Sequence, residues 1–205
     1  MSTGAQLDPA GIEIDALREV ANIASGHAAT ALGQLTDRAV WISIPEFTLT
    51  RAEEVPQVLG YADRKVVVVA MQVLGDVTGS LVFLMPEERA RRLAGLLLGQ
   101  TEPAEGEFDG MIKSSLMETA NIICGAYAGA LASLTGRMIM LSVPTFGVEP
   151  PDQVLAGQDL TKGQLGLCIE SSLSLAGETV PFGGHILLLP HPAALRLILD
   201  ALHVF

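Results

Sequence analysis

Basic residues are scarce in this sequence, with 12 Lys+Arg against 23 Asp+Glu and a formal net charge of -11. Binding to a nucleic-acid backbone by counterion release needs a basic face, so DNA and RNA are not expected partners. The one small basic cluster, Arg89, Arg91 and Arg92, lies beside Glu87 and Glu88 on an expected helix and reads as a solvated face. Cysteine is nearly absent. Cys124 and Cys168 stand in apolar surroundings with no Cys or His at metal-ligand spacing, which points to buried free thiols and a reducing cytoplasm rather than a disulfide or zinc site. Long apolar runs are missing too. Mean hydropathy is +0.43, yet no stretch approaches about 18 apolar residues without a charge or a Gly/Pro break, so the hydrophobicity is packed inside and no membrane insertion is expected. Residues 1–10 have neither a basic nor an apolar region of the kind a signal peptide needs and are expected to form a short flexible lead-in. His27, His185, His191 and His203 lack a Ser, Cys or carboxylate partner at a recognisable spacing. Gly183-Gly184 has no following Lys-Ser/Thr, which excludes a P-loop.

What is present is a repeat. The segment LREVANIASGHAATALGQLTDRAVWISIP is answered by SLMETANIICGAYAGALASLTGRMIMLSVP at an offset of 99 residues without a gap. Glu19 corresponds to Glu118, Ala21 to Ala120, Asn22 to Asn121, Ile23 to Ile122, Gly26 to Gly125, Leu35 to Leu134 and Pro45 to Pro144. The likeness continues more loosely, KVVVVAMQVLGDVTGSLVFLMPEERARRLAGLLLG against QLGLCIESSLSLAGETVPFGGHILLLPHPAALRLILDALHV. With 205 residues and 49% hydrophobic content, the chain is expected to be one domain, 1–205, made of halves 11–99 and 107–205 joined by a linker at about 100–106.

Each half reads helix, strand, hairpin, helix. The first helix places Leu17, Val20, Ala21, Ala24, Ala28, Ala31 and Leu35 on one stripe at three- and four-residue steps, facing the core. Its many Ala and Gly residues suggest close approach to a neighbour. Strands are expected over 40–49, interrupted by Pro45, then over 66–74 and 79–85 joined through the turn pair Gly75-Asp76. The second half offers 138–146, 166–175 and 185–189. Pro86 and Pro190 should stop the last strand of each half and open a helix. Trp41 and Phe47, flanking Pro45, read as core. The expected fold class is α/β of the α+β kind: an internally duplicated, pseudo-two-fold domain with a largely antiparallel sheet and long helices packed on it.

Asp15, Glu19 and Asn22 stand at i, i+4 and i+7, within about 60 degrees of one another around the helix and away from the apolar stripe. Ser114, Glu118 and Asn121 repeat the arrangement. Any amphipathic helix has a polar face, so one such stripe by itself marks nothing. Asparagine, however, lowers helix stability relative to Ala, Leu, Glu or Lys, and here it recurs mid-helix at the same place, followed by Ile. Neighbours such as Arg18/Met117 and His27/Ala126 differ between the halves, while Glu, Ala, Asn, Ile and Gly do not. Asp15 with Glu19 supplies too few oxygen ligands for a divalent ion, so no cofactor of the chain's own is expected.

These residues resemble the signature of the CheC/CheX/FliY phosphatases: Asp or Ser, three residues, Glu, two residues, Asn, about 22 residues, then Pro. Asp15, Glu19, Asn22 and Pro45 match it, and Ser114, Glu118, Asn121 and Pro144 match it again. Two full copies in one chain, without room for the further C-terminal domain of FliY, most resemble CheC. The resemblance implies a CheC-like fold and a cytoplasmic phosphatase acting on the aspartyl-phosphate of a CheY-type receiver, whose own Mg2+ serves the reaction. It implies that Asn22 and Asn121 orient water, and that Glu19 and Glu118 dock a receiver lysine. Asp15, Ser114, Pro45 and Pro144 shape the surroundings, and the deamidase CheD is a further expected partner. The rival expectation is a non-catalytic module resembling the motor-switch middle domain. His27 and Tyr127 differ in kind between the halves and would make the two sites unequal.

Overall fold

The structure, a computed structural model, describes residues 11–43, 46–61, 64–100, 103–108, 110–155, 157–158, 160, 163–179 and 181–202. The lead-in 1–10, Pro45, His203 and part of the expected linker lie outside the described residues. The elements are α1 (Gly11–Thr36), β1 (Val40–Ile42), β2 (Glu46–Arg51), a 3-10 turn at Ala52–Glu54, α2 (Val55–Leu59), β3 (Val66–Gly75), β4 (Gly79–Pro86) and α3 (Glu87–Leu97). The second half supplies α4 (Gly110–Thr135), β5 (Ile139–Leu141), β6 (Thr145–Glu149), β7 (Leu165–Leu175), β8 (Phe182–Pro190) and α5 (Pro192–Leu202). No described helix is long and apolar enough to cross a membrane.

All strand pairs are antiparallel, in the order β1-β7-β8-β4-β3-β5, with β2 also on β7 and β6 also on β3. This order reads the same from either end once the halves are exchanged. The seam is the β4–β8 pair, Val82 opposite Leu187. Each half sends its first two strands across to the other half's hairpin, so neither half completes a sheet alone. The run Val66–Met71 is apolar at every position because β3 is buried on both faces. Val67, Val69 and Met71 face a main core under the helices, while Val66, Val68 and Ala70 face a smaller core with Val55, Leu59, Val154 and Cys168.

Small residues set the packing of α1 on α4. Ala21, Ala24 and Ala28 on α1, and Ala120, Cys124 and Ala130 on α4, are almost fully buried, and between the helices Ser25 Oγ and the Tyr127 hydroxyl lie 3.2 Å apart. The stripe runs as expected from Leu17 to Ala28 and then departs from it. Leu32 is buried, Ala31 is half-buried and Leu35 is 51% exposed.

Three other expectations change. The basic cluster is not a solvated face. Arg91 bonds Glu87 at 2.8 and 3.0 Å, donates to the Gly106 carbonyl at 2.8 Å and lies over the Phe108 ring. Arg92 reaches Glu178 at 3.0 Å over the Phe182 ring, and Arg89 donates to the Gly183 carbonyl. These guanidiniums tie α3 to the segment before α4 and to the β7–β8 hairpin, using both their charge and their flat faces. Trp41 is 58% exposed: Val40 and Ile42 turn inward on a three-residue edge strand, and the pleat sends Trp41 outward where nothing covers it. Phe47 does pack against the main core. Finally, Pro190 ends β8 opposite Gly79, and it is Pro192 that opens α5, where its missing N–H is harmless.

On the second core face the Tyr61 hydroxyl and His185 Nδ1 are 2.9 Å apart. Burial lowers the His185 pKa from its usual 6.5, with Arg89 adding to this and Glu170 opposing it. The folded state therefore favours neutral imidazole, so its contribution to stability is complete above pH 6.5 and is lost as pH falls through the lowered folded value. A His185→Gln variant is expected to show a shallower loss of stability below pH 6.5 in urea titrations; an unchanged slope would contradict this. Ala24→Leu is expected to destabilise the fold by about 1–3 kcal/mol in the same assay, because α1 has no room to give way there.

Candidate functional site

The two polar stripes lie on the solvent faces of α1 and α4. Asp15, Glu19 and Asn22 are all exposed, and so are Ser114, Glu118 and Asn121. The positions between them point the other way, with Leu17, Val20, Ala21, Leu116, Thr119 and Ala120 buried. Each Glu is three residues before its Asn, so the two side chains are neighbours on one helix face. Among the described residues Glu19, Asn22, Glu118 and Asn121 make no side-chain hydrogen bond or ion pair. Asp15 approaches Arg18 at 3.7 Å, but both are well exposed and the pair is weak. A carboxamide and a carboxylate held side by side on a rigid helix, both with free hydrogen-bonding capacity, form a surface able to hold a water and a cation of a partner.

The helix crossing lies immediately beyond both sites. Ser25 and Tyr127 sit three and six residues after Asn22 and Asn121, and burial turns their hydroxyls into the interface. Burial pushes the Tyr127 phenol up to about 12, partly offset by the bond to Ser25. Tyr127 is therefore not on the surface and does not distinguish the sites as expected; His27, exposed where the second half has Ala126, remains a difference between them. Both cysteines are buried free thiols as the sequence indicated. Burial raises Cys124 far above the ordinary thiol range and Cys168 to about 12, so neither is a nucleophile.

Pro144 lies between β5 and β6, outside the helix stripe. Leu141 faces Val73 while Thr145 faces Ala70, so Val143 and Pro144 together oppose Met71 and the strand carries a one-residue bulge. Proline suits this point because it has no N–H to leave unpaired. Ser142 restores the ladder by exchanging bonds of 2.9 and 3.0 Å with the Gln72 backbone. Ser43 does the same with the backbone of Ser172. The serines were a signal in the sequence, at the same offset of 99, that motif matching passed over.

The repeated pair Gly26 and Gly125, one turn after the asparagines, is exposed in mid-helix, and a Cβ on either would meet nothing within 4 Å. Glycine in a helix interior costs about 1 kcal/mol relative to alanine. No packing within the chain explains either one.

Two family models match the chain. The CheC-like family covers residues 12–49, which contain Asp15, Glu19, Asn22 and Pro45. The model described as chemotaxis phosphatase CheX covers residues 67–166, which contain Ser114, Glu118, Asn121 and Pro144. The CheY-P phosphatase CheC of Bacillus subtilis (strain 168) is 32% identical over 184 residues, spanning 87% of this chain and 88% of that protein. This chain belongs to the CheC-type chemotaxis phosphatase family. The crystal structure of Thermotoga maritima FliY superposes on this CheC-type fold with a TM-score of 0.77 at 20% identity, covering 97% of this chain and 99% of that one. The FliM middle domain from H. pylori reaches 0.69 at 10% identity, covering 94% and 99%. This chain and the FliM middle domain thus share a fold.

Since the asparagines support no internal contact, Asn22→Ala/Asn121→Ala is expected to fold and to be more stable than wild type by about 0.5 kcal/mol per site in urea denaturation. A loss of more than about 1 kcal/mol would mean that the asparagines hold the structure.

Proposed function

We propose that this chain hydrolyses the aspartyl-phosphate of a CheY-type response regulator, with one reaction centre on α1 and a second on α4. The observation that carries this reading is the duplicated pair of exposed, unpartnered Glu and Asn residues, Glu19 with Asn22 and Glu118 with Asn121. Support comes from the relative in Bacillus subtilis, which is named as a CheY-P phosphatase.

Hydrolysis of an acyl phosphate requires a water oxygen to bond to phosphorus as the P–O bond to the aspartate breaks. The aspartate carboxylate leaves, and the water's two protons end on the inorganic phosphate, from which one can pass to solvent. The receiver brings its own Mg2+, lysine and acidic residues to that phosphoryl group, so the phosphatase has little to add beyond placing the water in line. Asn22 or Asn121 accepts and donates hydrogen bonds and stays neutral beside an anion. Glu19 or Glu118, on the adjacent turn, takes the receiver lysine in a charge-assisted bond and sets the register. Asp15 and Ser114 shape the edge of the docking face, and Pro144 fixes the strand path between β5 and β6.

A second reading, a non-catalytic interaction module, draws on the fold shared with the FliM middle domain. CheD is a further partner in either reading.

Phosphate release from a phosphorylated CheY-type receiver with Mg2+ tests the choice. Wild type is expected to accelerate release, and Asn22→Ala/Asn121→Ala is expected to reduce the acceleration by about 100-fold or more. Single Asn22→Ala and Asn121→Ala variants then report the share of each site. No acceleration by wild type, with or without CheD, would favour the interaction module.

A further inference from the structure

We propose that Gly26 and Gly125 are docking clearances: they keep the turn that bears each catalytic asparagine bare, so that the backbone around the receiver's phosphorylated aspartate can settle onto the carboxamide. This inference rests on the phosphatase reading above and deepens it.

The argument begins with helix geometry. Side chains on an α-helix lean toward its N-terminus, so a residue covers the turn before its own Cα. A side chain at 26 would overhang Asn22, about 6 Å along the axis, and one at 125 would overhang Asn121. Both positions hold glycine. The usual reasons for glycine do not apply. Neither residue has a positive φ, both are exposed, and a Cβ on either has open space around it. The chain thus accepts a weaker helix at two points where nothing inside the molecule demands it.

The duplication sharpens the case. Residues flanking these positions have diverged, Ser25 to Cys124 and His27 to Ala126, while the glycines have not. The structure also contains its own control. Gly129 is another exposed mid-helix glycine with open space at its Cβ, but its counterpart is Thr30, and it lies about 12 Å along α4 from Asn121. Glycine is repeated where it clears an asparagine and replaced where it does not.

The test compares wild type, Gly26→Ala/Gly125→Ala, Gly26→Leu/Gly125→Leu and Gly129→Ala. It uses a phosphorylated CheY-type receiver with Mg2+, following phosphate release against receiver concentration and thermal unfolding of each protein. The paired alanine variant is expected to unfold about 4–8 °C higher than wild type. Its kcat/KM is expected to fall about 10-fold, mostly through KM, with about 100-fold for the leucine pair. Gly129→Ala should gain stability and keep full activity. Wild type that is active together with fully active leucine variants would overturn the clearance and leave the phosphatase reading intact. A fall in both Tm and activity for the alanine pair, or an equal activity loss in Gly129→Ala, would also overturn it by showing a general role for helix glycine. Wild type without activity would instead overturn the phosphatase reading, and the clearance with it.

Discussion

The structure depends on how closely α1 and α4 pack over the shared sheet. Ala21, Ala24, Ala28, Ala120 and Cys124 are buried with almost no exposed surface, and the Ser25–Tyr127 contact joins the helices across the crossing. Packing of this kind fixes the rotation of each helix about its own axis. With the small residues turned inward, helical periodicity leaves Glu19, Asn22, Glu118 and Asn121 no orientation but outward. The exchange of β1 and β2 onto β7, and of β5 and β6 onto β3, locks that rotation from the strand side. The exposed Glu and Asn pairs thus stand on helices whose opposite faces are buried.

Repetition and periodicity made most of this legible in the sequence. The constant offset through both helices and the strands after them located the paired polar stripes, and the apolar runs bounded by Gly and Pro located the central strands. What escaped depended on the edges of elements and on contacts distant in sequence. Trp41 looked like core because aromatic residues usually are, yet an outward position on a three-residue edge strand decides its exposure. Arg91 and Arg92 looked solvated because Glu87 and Glu88 stand one turn before them on the same helix. Glu178 and the Gly106 carbonyl, which they reach, are brought in by the fold. Tyr127 was placed near the second site by sequence distance, but its helical angle turns it into the interface. The bulge at Val143-Pro144 was visible only as a proline, because a register shift requires both strands to be seen.

The fold shared with the FliM middle domain, at 10% identity, does not by itself say what this chain does. The phosphatase reading rests instead on surface Glu and Asn side chains. In this chain those side chains occur twice, at equivalent places, without any structural duty among the described residues.

The most direct test of that account is to map where a receiver docks. Backbone amide shifts of this protein should be followed by NMR during titration with a CheY-type receiver held in its phosphorylated form by beryllofluoride and Mg2+. The account predicts that the largest changes fall on the exposed faces of α1 and α4 around Glu19, Asn22 and Gly26 and around Glu118, Asn121 and Gly125. They should be lost when Glu19 and Glu118 are both replaced by lysine. Changes confined to the sheet edges around Trp41 and Met140, or to α3 and α5, would contradict it.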